Sequence, residues 1–158
     1  MKRLFLFAGV ALLSLRAFAQ SADEKAAAIK DMVESKNFIF QAQTALPMRG
    51  NVRHLTTEYD LKVTPTAVVS ELPYFGRAFV APMNPTQSPL QFTSTKFDYT
   101  ATTRKSGGWE IVIKPTDHRE VQSMTLTIST AGYTTLQVTN LNRDPITFNG
   151  DITAPRKK

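Results

Sequence analysis

From Asn37 almost to the C-terminus, apolar side chains return at every second residue, and no other feature of the chain narrows its fold as much. Tyr59, Leu61 and Val63 alternate with Asp60 and Lys62, and Phe97, Tyr99 and Ala101 with Asp98 and Thr100. The rhythm continues through Trp109, Ile111 and Ile113, through Met124, Leu126 and Ile128, through Leu136 and Val138, and through Ile146, Phe148 and Ile152. A two-residue period sends successive side chains to opposite faces of an extended strand, so each segment has one dry row and one wet row. Between the segments stand Thr64-Pro65-Thr66, Ser106-Gly107-Gly108, Thr130-Ala131-Gly132 and Asn142-Arg143-Asp144-Pro145. These are residue types that reverse a chain within a few positions, and short reversals make antiparallel neighbours. Pro82 to Pro89 holds three prolines and is expected to be a surface loop, because proline cannot donate to a sheet ladder.

The pattern predicts a mainly β fold: an antiparallel barrel or half-open barrel of eight or nine strands. One N-terminal helix precedes it. Ala26, Ile29, Met32 and Val33 recur at helical spacing, and Ser21 with Glu24 forms a capping-box pattern, which predicts a helix from about Ala22 to Ser35. Its remaining faces carry Asp23, Glu24, Lys25, Lys30, Asp31 and Glu34, so the narrow apolar stripe must rest on an edge or an open end of the sheet. An outer-membrane barrel does not fit, since the second face of the strands carries Asp60, Lys62, Asp98, Glu110 and Lys114 where lipid would demand apolar groups.

Ahead of the helix lie Lys2 and Arg3, an apolar run from Leu4 to Leu15, and Ala17-Phe18-Ala19. This is the layout of a secretory signal, and the run falls short of the roughly 20 residues that span a bilayer. Cleavage after Ala19 is expected, giving a periplasmic or secreted domain from residue 20 to residue 158 with no membrane span. Cysteine is absent, so the domain must stand on its apolar core without disulfides, and thiol chemistry is excluded. The net charge of +6 is a matter of the two ends. Six of the 19 Lys and Arg lie in the signal segment or in the basic tail Arg156-Lys157-Lys158, and the 13 that remain balance the 13 Asp and Glu. A neutral body without clustered cations gives no footprint for a nucleic acid.

Two segments are more particular than alternation requires: Leu72-Pro73-Tyr74-Phe75-Gly76-Arg77-Ala78-Phe79 and Arg143-Asp144-Pro145-Ile146-Thr147-Phe148-Asn149-Gly150. With Phe38-Ile39-Phe40-Gln41-Ala42-Gln43 and Leu46-Pro47, they resemble a bacterial family of exported proteins known as domain of unknown function 4251. The resemblance runs from about Val33 to Ile152. It implies a β-rich, lipocalin-like architecture and carries no activity with it.

The residues expected to matter for binding are Tyr74, Phe75, Arg77 and Arg143. A guanidinium offers a rigid fork for a carboxylate, either a ligand's or one of the protein's own. The aromatic pair can wall a ligand or fill the core, and Gly76 allows a bend or a close approach. His54 and His118 are the two imidazoles and read as surface residues, because a zinc site needs three or four clustered ligands. No metal or other cofactor is expected. No Gly-x-Ser-x-Gly elbow, Ser-x-x-Lys or phosphate-cradling glycine loop occurs. Asp60, Glu71, Asp98 and Glu110 fall mostly on the wet rows, where solvation is the expectation. The leading expectation is therefore a noncatalytic binding protein with a small apolar or amphipathic ligand in the barrel interior. An envelope module that binds or inhibits another protein, using exposed loops such as Met83 to Ser88, comes second, and an envelope hydrolase with a carboxylate site assembled by the fold comes third.

Overall fold

The computed structural model describes residues 22–79 and 88–155. The expected signal segment, the expected Ser21 cap, most of the proline loop with its segment Met83 to Gln87, and the basic tail lie outside the described residues. Helix α1 (22–34) leads into nine strands: β1 Phe38–Pro47, β2 Arg53–Val63, β3 Val68–Glu71, β4 Gln91–Ser94, β5 Phe97–Thr103, β6 Trp109–Pro115, β7 Val121–Ile128, β8 Tyr133–Asn140 and β9 Ile146–Thr153. All pairings are antiparallel, in the order β4-β3-β2-β1-β9-β8-β7-β6-β5.

The two ends of that order are neighbours in sequence. Eight antiparallel steps separate β4 from β5, so the two run in the same direction, with Thr95 and Lys96 alone between them. They are two halves of one bent strand. The first half bonds to β3 and the second to β6, which brings the sheet round into a nearly closed barrel. Asp117 fixes the bend from the β6–β7 loop, where its carboxylate accepts bonds from the Thr95 and Lys96 amides at 2.9 and 3.1 Å and from the Ser94 hydroxyl.

The dry rows meet inside. Phe38, Phe40, Leu61, Ile111, Ile113, Met124, Leu126, Ile128, Leu136 and Phe148 have no exposed surface and belong to one contiguous cluster. Helix α1 lies across the end of the barrel at which β1 begins. Ile29 approaches Gly132 at the β7–β8 turn, and the Val33 carbonyl accepts a 2.8 Å bond from the Tyr99 hydroxyl of β5. The helix stops one residue short of expectation. Lys36 takes a left-handed conformation (φ 53°), and Asn37 N–H returns to the Met32 carbonyl at 3.0 Å, a Schellman closure.

Two features depart from the alternation. Ala101, expected on a dry row, is exposed, because β5 ends the sheet order and pairs on one side only, with β6. Opposite Gln43 of β1 stand the four residues Leu55 to Glu58 of β2, a wide bulge that leaves Arg53 paired with Ala45 at the tip of the hairpin.

Candidate cleft at the open mouth

At the end of the barrel away from α1, three pieces of chain come together. The first is the β1–β2 turn, Pro47 to Arg53. The second is the segment from Leu72 to Phe79, which leaves β3 and crosses the mouth without regular structure. The third is the β8–β9 link around Asp144. The crossing segment is tied down there: Ala78 bridges Arg143, the Asp144 N–H donates to the Arg77 carbonyl at 3.1 Å, and the Phe79 N–H donates to the Asn142 carbonyl at 2.9 Å. The two most distinctive segments of the sequence thus meet in space.

Tyr74 is the clasp between them. Its hydroxyl lies 2.9 Å from the Asp144 carbonyl and 3.1 Å from the Arg77 carbonyl, so its one proton is held between the two strands of the junction. Gly76 makes this possible, since a β-carbon there would fall 2.4 Å from the Tyr74 oxygen. Burial, and then the nearby Asp144 carboxylate, push the phenol above its ordinary value, against the opposing pull of Arg143 and of the bond to Asp144. Tyr74 therefore stays a neutral donor.

These segments enclose a cavity of about 440 Å³ that opens to solvent. Arg49, Arg53, Arg77, Tyr74, Phe75 and Asp144 line it, together with Pro47, Gly50, Asn51 and Gly76. The Arg53 guanidinium lies over the Phe75 ring, 4.7 Å from its centre, an arrangement that orients the fork while leaving its edge open to a ligand. Three arginines and one aspartate thus line a single cavity. The ion pairs Lys30–Glu34, Lys62–Asp60 and Arg143–Glu120 draw on none of the three.

Of the four residues proposed from sequence for binding, Tyr74, Phe75 and Arg77 line this cleft, and Arg143 does not. Arg143 stands behind it, with Nε 3.6 Å from Glu120 and its guanidinium 5.5 Å from the centre of the Tyr74 ring, as a brace for the clasp. Arg49 and Arg53 complete the lining, and the signal for them in the sequence is a pair of cations about Gly50-Asn51 at a chain reversal. His54 is exposed at the hairpin, whereas His118, expected at the surface, is half-buried and stacked flat on Phe92 at 4.2 Å. Among the described residues no three His, Cys, Asp or Glu side chains come together in a way that could hold a metal. Glu71, Asp98 and Glu110 are exposed, and Asp60 pairs with Lys62 at 3.3 Å.

Fold and cleft together define a small, helix-capped antiparallel barrel with a cation-rich opening at one end. The chain matches the model of the family described as domain of unknown function (DUF4251) over residues 20–152, and it belongs to that family. In fold it is similar to the crystal structure of a DUF4251 family protein from Bacteroides eggerthii, with a TM-score of 0.59 and 14% sequence identity, over 82% of this chain and 87% of that one. No curated protein matches the sequence.

Proposed function

We propose that this is an exported, noncatalytic binding protein whose ligand carries an anionic group and sits in the mouth cleft. The observation that carries the reading is the make-up of the cavity lining among the described residues, three arginines against the one acidic residue Asp144. Arginine forks grip carboxylate and phosphate oxygens in pairs, and a partly enclosed site strengthens those bonds. Phe75 and Tyr74 add aromatic wall, which suits an amphipathic molecule. The cavity volume falls within the range of small-molecule sites, roughly 300–1,000 Å³. Large apolar side chains already occupy the barrel interior, and this favours the mouth over the axis as the place of binding. Hydrolysis by paired carboxylates is the weaker reading, because among the described residues Asp144 is the one acidic residue in the cavity lining.

Export rests on the charged, apolar and small-residue layout before Gln20, and cell fractionation with an epitope-tagged chain tests it: the tag is expected in the periplasm or the medium, shortened by about 19 residues. Ligand binding is tested by native mass spectrometry of protein purified from its own envelope. An added anionic mass is the expected result, and Arg77→Gln should cost about tenfold or more in affinity, the worth of one charge-assisted bond. Bare protein that also ignores a panel of organic phosphates and carboxylates in titration calorimetry would reject the assignment.

A further inference from the structure

The exposed apolar side chains are distributed unevenly. Met48, Val52, Phe79, Tyr133 and Leu141 are the large hydrophobic residues that lie in solvent among the described residues, at 56–69% exposure. Four of the five belong to the chain segments that build the mouth. Met48 and Val52 bracket the lining residues Arg49, Gly50 and Asn51 in the β1–β2 turn. Phe79 follows Arg77 by two residues, and its amide is bonded to Asn142, the neighbour of Leu141. Tyr133 alone lies at the helix-capped end, beside the β7–β8 turn. Apolar groups scattered singly over a surface need no explanation, whereas a set gathered round a cationic opening marks a docking face.

We infer that the mouth of the barrel docks on a phospholipid surface, with a phosphodiester headgroup in the cleft and Met48, Val52, Phe79 and Leu141 immersed at the headgroup boundary. The inference rests on the anionic-ligand reading of the same cleft. Its chemistry is that of peripheral membrane proteins, in which apolar side chains enter the interface while Lys or Arg meet the phosphates. Between Gln20 and Pro155 the charge is balanced, and within that body Arg49, Arg53 and Arg77 come together in the lining of the mouth. Asp144 adds a selection rule. Asp144 belongs to the lining of the same cavity, and a carboxylate accepts hydrogen bonds and donates none, so a headgroup with a hydroxyl or an ammonium N–H beyond its phosphate suits the lining better than one without. Glycerol and ethanolamine headgroups are of that kind, and choline, a quaternary ammonium without N–H, is not.

The test is cosedimentation of the purified protein with vesicles of phosphatidylcholine alone, or with phosphatidylglycerol or phosphatidylethanolamine added, beside calorimetric titration with glycerol 3-phosphate. The expected result is at least tenfold more binding to vesicles with either added lipid than to phosphatidylcholine alone. Binding should fall about tenfold in Arg77→Gln and again in the paired rim variant Phe79→Ser, Leu141→Ser, whose sites are exposed and whose circular dichroism and melting temperature should match the parent. Equal binding to phosphatidylcholine vesicles overturns the selection rule, and vesicle binding untouched by Arg77→Gln overturns the seating of a headgroup in the cleft. Glycerol 3-phosphate bound in the cleft with no vesicle binding overturns the membrane inference and leaves the anion site standing. Failure of both removes both. A stoichiometric protein partner lost in the rim variant, without any vesicle binding, also overturns the inference and assigns the face to that partner.

Discussion

Asp117 is exposed to solvent, yet it governs the bend that brings the sheet round on itself. Bonds from the Ser94 hydroxyl and the Thr95 and Lys96 amides hold its carboxyl at about 2, below the ordinary 3.8. A depressed carboxylate stabilises the fold at every pH above its unfolded value and loses that contribution as pH falls through the folded one. The variant Asp117→Ala should therefore melt below the parent at pH 7, and the gap should narrow from about pH 4 towards pH 2 in thermal scans. A gap that stays constant over that range would mean the side chain acts through packing alone. Gly150, in the distinctive C-terminal segment, is fixed by contact rather than by charge. A β-carbon there would lie 1.8 Å from the Gln41 carbonyl oxygen and 3.1 Å from the Phe40 ring, so β1 and β9 would have to separate. Gly150→Ala should cost about 3 kcal/mol, as overpacking of a close-fitted interior does, read as a lower urea midpoint with an unchanged slope.

At the scale of elements, legibility follows unbroken alternation, which the bulge interrupts in β1 and β2. β6 to β9, with seven or eight residues each, alternate long enough for the dry row to declare itself, and their turns carry the Gly, Asn and Pro that reversal needs. β3 and β4 have four residues each, and their inward positions include Ser70 and Ser94. Those serines are buried because their hydroxyls donate to the Leu90 carbonyl and to the Asp117 carboxylate, a compensation that no count of apolar residues can reveal. The helix was legible from its stripe, but not its seat, since the pairing of Val33 with Tyr99 joins positions 66 apart. The cleft was half legible for the same reason. Tyr74, Phe75 and Arg77 stand together in the sequence, while Asp144 reaches them across 70 residues and Arg49 and Arg53 reach them through a hairpin whose bulge is set by pairing. If α1 is a seated cap, Ile29→Ala should cost about 2–4 kcal/mol in chemical denaturation. Tyr99→Phe, which leaves the Val33 carbonyl with only its bond from the Lys36 amide, should cost about 0.5–1.5 kcal/mol. Negligible losses in both would make the helix an ornament on a barrel that stands without it.

For the whole molecule, packing and charge both favour the mouth over the axis as the place of the proposed ligand. Phe38, Phe40 and Phe148, all without exposed surface, come from the adjacent strands β1 and β9, and Leu61, Ile111, Met124, Leu126 and Leu136 complete the filling from the other strands. A barrel of this strand number is just wide enough for its own side chains. Charge cannot enter that axis without a partner, whereas the mouth already gathers guanidiniums in reach of solvent. Emptying the axis should therefore create a property that the parent lacks. Phe148→Ala should lose about 3–5 kcal/mol of stability and leave a dry cavity that takes up a small apolar probe such as benzene or xenon. In the parent the same probes should leave the chemical shifts of the Met124 and Leu136 methyls unchanged, while an organic phosphate shifts the amides of Gly50 and Gly76. Parent protein that takes benzene onto Met124 as readily as the variant does would return the ligand to the barrel axis and leave the arginines of the mouth as a solvated rim.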